Sequence, residues 1–238
     1  KLTTTYIDLA TLPADPDIAR KIVDHTQRLQ LLLQEPLGRT AVSFTTLRQE
    51  VRNTENAFAN FVADTLKNYT GAQLAFFNSG TIRGVQDYPA GSMLTRGDIL
   101  AELPFRNTPV LLQLSGLDLL SIFEHGLSGL DNQRGFFLQV SGFTLLFDST
   151  APIGSRVIKL LVNGDPVINS KMYNVATLEY LAEGGDGFEI LEKRSKLNYF
   201  NPSDRNIADI VAAAIKKQQT IKLIKDGRLQ DISKQGQP

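Results

Sequence analysis

The 238-residue chain is 42% apolar and 21% charged, ordinary for a globular protein and enough for one large domain or two small ones. Lys and Arg balance Asp and Glu at 25 each, which excludes the electrostatic footprint of a nucleic-acid polymer or of an anionic membrane surface. With no cysteine, disulfides, thiolate catalysis and Cys-ligated zinc are excluded too, and no run approaches the about 20 apolar residues of a membrane span.

The start at Lys1 carries no secretion signal and reads as trimmed. Asp15-Pro16-Asp17 then opens a helix, with Asp15 as cap, Pro16 at the first helical position and acid at the positive end of the dipole. Ile18, Ile22, Leu29, Leu32 and Leu33 form its apolar stripe, and Pro36 with Gly38 ends it. Residues 1–36 thus read as an interdomain connector with a helix, 37–232 as the folded body and 233–238 as a polar tail.

A strand is predicted from Leu37 to Phe44 and a helix from Asn56 to Tyr69, with Phe58, Phe61, Val62 and Leu66 near one face and Gly71 as its cap. Arg52 falls just ahead of that helix, where the dipole does not favour its charge. Either a nearby anion or an ion pair with Glu55 is its expected partner.

The apolar run Leu74–Phe77 reads as a strand entering Asn78-Ser79-Gly80-Thr81-Ile82-Arg83. Those six residues bring an amide, a small flexible turn at Gly80 and a guanidinium into one loop. Arg83 there either meets a phosphate or carboxylate with paired hydrogen bonds or makes an ordinary surface ion pair.

Thr95 and Asp98 stand at capping-box spacing ahead of a short helix over 96–102 that ends at Pro104-Phe105. Phe105, at a helix-to-loop junction, is either core or a stacking platform for a planar base. A strand over Val110–Leu114 follows, and Ser115-x-x-Asp118 starts a helix that Gly126 is expected to stop.

The period then changes to two, with strands at 136–141, 143–148, 156–162 and 172–177 and a type I′ turn signal at Asn163-Gly164. Beyond them, three glycines surround Asp186 in a tight loop that Tyr180 opens. The Asp186 carboxylate either bonds its own backbone or accepts from sugar hydroxyls, and Tyr180 is either packed or stacking. A helix from about Asp204 to Lys217 and a small hairpin at Asp226-Gly227 finish the body. Helices and strands in this non-alternating order give an α+β class, a layered α/β/β/α-type domain with a mixed sheet.

Catalytic machinery is scarce. His25 and His125 are the only histidines, both in predicted helices and neither at metal-ligand spacing, so both are expected to be ordinary helix residues. Neither a Gly-x-Ser-x-Gly elbow nor a phosphate-binding Gly-x-x-x-x-Gly-Lys loop occurs, which sets aside serine hydrolases and P-loop enzymes.

Arg52-x-x-Glu55 followed by Asn60 and Asp64, then residues 78–83, Leu103-Pro104-Phe105, residues 137–142 and Gly184-Gly185-Asp186-Gly187-Phe188 resemble, in this order, the C-terminal domain of the 5′-nucleotidase and UDP-sugar hydrolase family. The likeness covers about residues 37–195, with Ser79 and Thr81 in place of two usual glycines and Tyr180 where phenylalanine is common. It implies a base held between Phe105 and Tyr180, Arg52 and Arg83 toward phosphate and sugar, Asn78 on the nucleoside and Asp186 on the ribose hydroxyls, with Gly80 in the binding loop. It also implies an N-terminal metallophosphoesterase domain in the same parent protein, which holds two divalent metals, and a periplasmic or extracellular home. This chain alone is then expected to bind nucleotide or nucleoside without cleaving it and to hold no cofactor. The other expectation is a relative whose domain is structural, binds a partner, or shapes a non-nucleotide site as in thiosulfohydrolases.

Overall fold

Helix Pro16–Leu33 starts as its sequence requires, with the Asp15 carboxylate accepting from the Asp17 and Ile18 N–H groups at 2.9 and 3.1 Å. The computed structural model describes Tyr6, Asp8, residues 12–200 and residues 205–234. Against these the helix buries none of its residues, and Ile18, Ile22, Leu29 and Leu32 stay exposed. It is fastened at its C-terminal end, where Glu35 pairs with Arg96 at 2.7 Å and with Lys216 at 2.5 Å. Among the described residues no helix is long and apolar enough to cross a membrane.

A mixed five-stranded sheet forms the centre, in the order Lys196–Tyr199, Pro109–Ser115, Met172–Leu178, Leu74–Asn78, Leu138–Ser141. Only Met172–Leu178 and Leu74–Asn78 run parallel; the other neighbours are antiparallel. Leu74–Asn78 is buried throughout, as an apolar run without alternation implies. Its successive side chains still part to opposite faces. Ala75 and Phe77 join a core with helices Ala57–Thr70 and Ile207–Gln218. Leu74 and Phe76 join a second core with helix Gly116–Leu127 and strand Phe143–Phe147. The latter strand belongs to a four-stranded sheet, so helices cover one face of the centre while a helix and a second sheet cover the other. The α+β class holds.

Helix starts follow the local chemistry. Asn56 caps Ala57–Thr70, which Gly71 closes at φ 67°, and complete capping boxes form at Thr95/Asp98 and Ser115/Asp118. Asn163 and Gly164, at φ 52° and 89°, turn the hairpin between Val157–Val162 and Asp165–Pro166.

Elsewhere distant partners decide. The strand expected from Leu37 to Phe44 is split into Pro36–Thr40 and Phe44–Thr45, because Pro36–Thr40 pairs with Met93–Thr95 and Thr220–Ile221 whereas Phe44–Thr45 pairs with Asp87–Tyr88. Asp226-Gly227 is not a hairpin: Thr220–Ile221 and Leu229–Asp231 join different sheets, and the N–H groups of Asp226 and Gly227 bond the buried Glu55 carboxylate at 2.7 and 3.0 Å. Gly126 does not stop its helix, which continues to Leu127; a Cβ there would lie 3.0 Å from Leu138 Cγ, so the glycine serves close packing. The expected start at Asp204 lies outside the described residues; Asn206 caps the observed helix Ile207–Gln218. Of the polar tail, Ser233 bonds Asp231, while 235–238 lie outside the described residues.

Candidate functional site

The parallel strands Leu74–Asn78 and Met172–Leu178 end side by side, and the segments just beyond their carboxyl ends build the site. Past the first, Ser79–Thr81 forms one tight turn. The N–H groups of Ser79 and Gly80 donate to the carbonyls of Phe137 and Gly135 at 2.7 Å each. None of the three residues adopts positive φ, so serine and threonine fit this path. Gly80 is needed for close approach instead, since a Cβ there would lie 3.2 Å from Gly135 Cα and from Asn78 Nδ2. Thr81 Oγ1 donates to Asn78 Oδ1 at 2.8 Å, which orients the amide so that Nδ2 donates to Asp186 Oδ2 at 2.7 Å.

Past the second strand, Asp186 sits at φ 54° in the turn Gly185–Gly187. The Tyr180 hydroxyl donates to Asp186 Oδ1 at 2.8 Å and accepts from the Asp186 N–H at 3.1 Å. Burial and the adjacent carboxylate both push the Tyr180 pKa up, which keeps its proton in place as the donor. Below the turn, His125 Nε2 lies 2.8 Å from the Asp186 carbonyl; that oxygen can only accept, so Nε2 carries the proton. The imidazole stacks on Phe136 and meets Phe188 edge-on.

Arg83 Nε donates to the Gly80 carbonyl at 2.6 Å, and its guanidinium lies over the Phe105 ring, 5.1 Å from the centroid. Phe105 and Tyr180 are 42% and 43% exposed, so neither is core. Six of the seven residues singled out from sequence, Asn78, Gly80, Arg83, Phe105, Tyr180 and Asp186, line one cavity of about 220 Å³ together with Asn107.

Arg52 stands apart from that lining. Contrary to the sequence expectation, it lies in the last turn of a short helix, Arg48–Asn53, where the dipole favours a cation. Nor does it pair with Glu55, whose carboxylate accepts from Asn60 Nδ2 and the two backbone N–H groups at 226–227. Arg52 Nη1 donates to the Gln133 carbonyl at 2.9 Å. Burial and the charges of Arg48 and Arg83 lower its pKa, while Asp186 raises it.

The segment that carries Arg83 is held from beneath by Glu102, a residue that sequence reasoning missed. Its buried carboxylate accepts from Thr46 Oγ1 at 2.9 Å, Tyr88 OH at 2.8 Å and Gly84 N at 3.1 Å, and its carbonyl accepts from Arg83 N at 2.8 Å. Several openings elsewhere are larger, two of them of about 580 and 660 Å³. One contains Arg228, already engaged by Asp64, Asp226 and the Val140 carbonyl; the other runs along Val42, Phe44 and Leu223. Neither combines half-exposed rings with a cation and an acceptor.

Residues 36–193 match the family model described as 5′-nucleotidase, C-terminal domain. The chain belongs to that family. It is 30% identical to a 5′-nucleotidase of Diplobatis ommata over 235 residues, 90% of this chain and 40% of the relative. Among solved structures it resembles a 5′-nucleotidase precursor from Thermus thermophilus, at a TM-score of 0.80 and 28% identity over 95% of this chain and 44% of that one. Sulfate thiohydrolase SoxB, at 18% identity and a TM-score of 0.71 over 96% of this chain and 41% of that one, shares the fold. The chain thus spans about 40% of the length of that relative.

Proposed function

We propose that this domain binds the nucleoside part of a nucleotide or nucleotide sugar, and that it serves a metal-dependent 5′-nucleotidase or nucleotide-sugar hydrolase as its C-terminal domain. One observation carries the reading: two half-exposed rings, Phe105 and Tyr180, line the same small cavity as the Asp186 carboxylate and the Arg83 guanidinium. A base stacked on such rings gains roughly 1–3 kcal/mol. Asp186 accepts from the sugar hydroxyls, Asn78 fixes that carboxylate, and Arg83 with Arg52 meets the phosphate.

In this reading two divalent metals, held by the N-terminal domain of the same parent protein, activate water and neutralise the phosphoryl group. The present chain binds and orients the substrate without cleaving it. The exposed apolar stripe of Pro16–Leu33 supports a connector role for that helix toward the other domain. A periplasmic or extracellular location goes with the proposal.

Calorimetry of the chain with adenosine and with adenosine monophosphate tests it. Heat of binding is expected with both and is abolished in the double variant Phe105→Ala, Tyr180→Ala. Unchanged affinity in that variant would reject the stacking site and leave a structural, partner-binding or non-nucleotide domain as the reading.

A further inference from the structure

Two residues beyond Arg83, Val85 adopts φ 53°, a strained conformation for a β-branched residue. Its neighbours pin it there. The Gly84 N–H donates to Glu102 Oε2 at 3.1 Å and the Gln86 N–H to Thr46 Oγ1 at 3.0 Å, while the Gln86 carbonyl accepts from the Thr46 N–H at 2.9 Å. Strain of this kind persists only where the surroundings hold it, and here Glu102 and Thr46 do so.

Counting hydrogens in this cluster bears on the state of Glu102. The Thr46 hydroxyl has one hydrogen but two acceptors in reach, the Gln86 carbonyl at 3.1 Å and Glu102 Oε1 at 2.9 Å. An ionised Glu102 leaves one of those oxygen pairs facing each other bare, at a residue only 1% exposed. A proton on Oε1 removes the shortage: Oε1 donates to Thr46 Oγ1, the Thr46 hydrogen goes to Gln86, and Oε1 still accepts from the Tyr88 hydroxyl at 2.8 Å. Burial holds the proton on Tyr88, so that hydroxyl stays a donor. Tyr88 and Asp98 are the titratable groups around the Glu102 carboxyl, and Asp98 disfavours its charge. No lysine or arginine among the described residues forms an ion pair with it.

We infer that Glu102 is a neutral acid at neutral pH, bonded through Thr46 to Gln86, and that in this form it is a positioning residue for Arg83. It fixes residues 84–86 behind that arginine and so aims the guanidinium. The consequence for a ligand rests on the nucleoside-binding reading above, in which Arg83 meets the phosphate.

Two measurements test this. Isotope-edited NMR of the chain labelled at its glutamate carboxyl carbons, with Glu102 assigned by its loss in Glu102→Gln, is expected to show a protonated acid at neutral pH; a carboxylate there overturns the inference. Calorimetry with adenosine monophosphate and adenosine reads the positioning. Glu102→Leu is expected to weaken the monophosphate by about tenfold, the worth of one charge-assisted bond, and adenosine by less than about threefold. Glu102→Gln, whose amide offers Thr46 a donor and Gly84 an acceptor, is expected to keep the monophosphate within about threefold of the wild type. Unchanged monophosphate affinity in Glu102→Leu, an equal loss for both ligands, or a tenfold-scale loss in Glu102→Gln overturns the positioning role. If Glu102→Leu does not fold, Thr46→Val takes its place with the same expectations. Absence of heat from the wild type with both ligands removes the nucleoside-binding reading and the positioning role with it, while NMR still decides the proton on Glu102.

Discussion

Glu102 fills the space that a side chain at Gly84 would need: a Cβ on Gly84 would lie 2.0 Å from Glu102 Oε1. The carboxylate has little freedom to yield, because the Thr46 and Tyr88 hydroxyls hold it at 2.9 and 2.8 Å within the core. Gly84→Ala is therefore expected to cost about 2 kcal/mol through overpacking and to displace the segment bearing Arg83. A lower urea midpoint together with weaker nucleotide binding is the expected result; an unshifted midpoint would show that the carboxylate moves aside freely.

Acidity separates Glu102 from ordinary carboxylates. Burial raises its pKa, Asp98 adds to the rise, and the bonds from Tyr88, Thr46 and Gly84 oppose it. The folded chain thus holds this proton more tightly than the unfolded chain, so the associated stability is fully present below the ordinary carboxylate pKa and is lost as pH rises through the higher folded value. Glu102→Gln removes this slope. Unfolding free energy measured downward from neutral pH should therefore rise in the wild type relative to the variant, and parallel curves would contradict the shift.

A methyl group at residue 185 would meet backbone rather than a flexible tip, since the added Cβ lies 2.4 Å from the Tyr180 carbonyl oxygen. Gly185→Ala is expected to lower the melting temperature, by an overpacking cost of about 2 kcal/mol. The same variant should weaken nucleoside binding by moving the Tyr180 ring. Melting by circular dichroism and calorimetry read the two effects separately.

Glu55 anchors a turn that its own sequence neighbourhood does not contain. Truncation by Glu55→Ala strands the N–H groups of Asp226 and Gly227 and leaves the Asn60 amide only the Ile224 carbonyl as acceptor. The expected loss is about 3 kcal/mol, from bonds to a buried charge. Denaturant unfolding gives the size, and faster amide exchange at Asp226 and Gly227 locates the damage. Slow exchange there would mean that other acceptors replace the carboxylate.

What could be read from sequence was what depends on near neighbours. Asp15, Asn56, Thr95 and Ser115 cap helices by bonding N–H groups two or three residues on, and Asn163-Gly164 turns its hairpin alone. The break in the strand after Thr40, the edge strand Lys196–Tyr199 and the turn at Asp226-Gly227 all depend on partners far along the chain, and none was legible. The helix Arg48–Asn53 was also unseen: its cap position is Leu47, without a side-chain acceptor.

Site residues divide in the same way. Asn78, Gly80, Arg83, Phe105, Tyr180 and Asp186 came from loop chemistry and family likeness, and they share a cavity. Thr81 could have been found, since an amide and a hydroxyl three residues apart in a tight turn are within bonding reach. His125 offered no such hint, because its contact with the Asp186 carbonyl spans 61 residues.

The bond from Asn78 to Asp186 spans 108 residues. It exists only once the parallel pair Leu74–Asn78 and Met172–Leu178 has zipped, and parallel pairing across so long an intervening chain is among the slow events of folding. If the domain binds nucleosides as proposed, its ligand affinity is therefore a late property of the polypeptide. During synthesis no nucleoside can stabilise a nascent chain until the second of these strands has emerged, and recovery of binding after dilution from denaturant marks the closing step of refolding rather than its collapse.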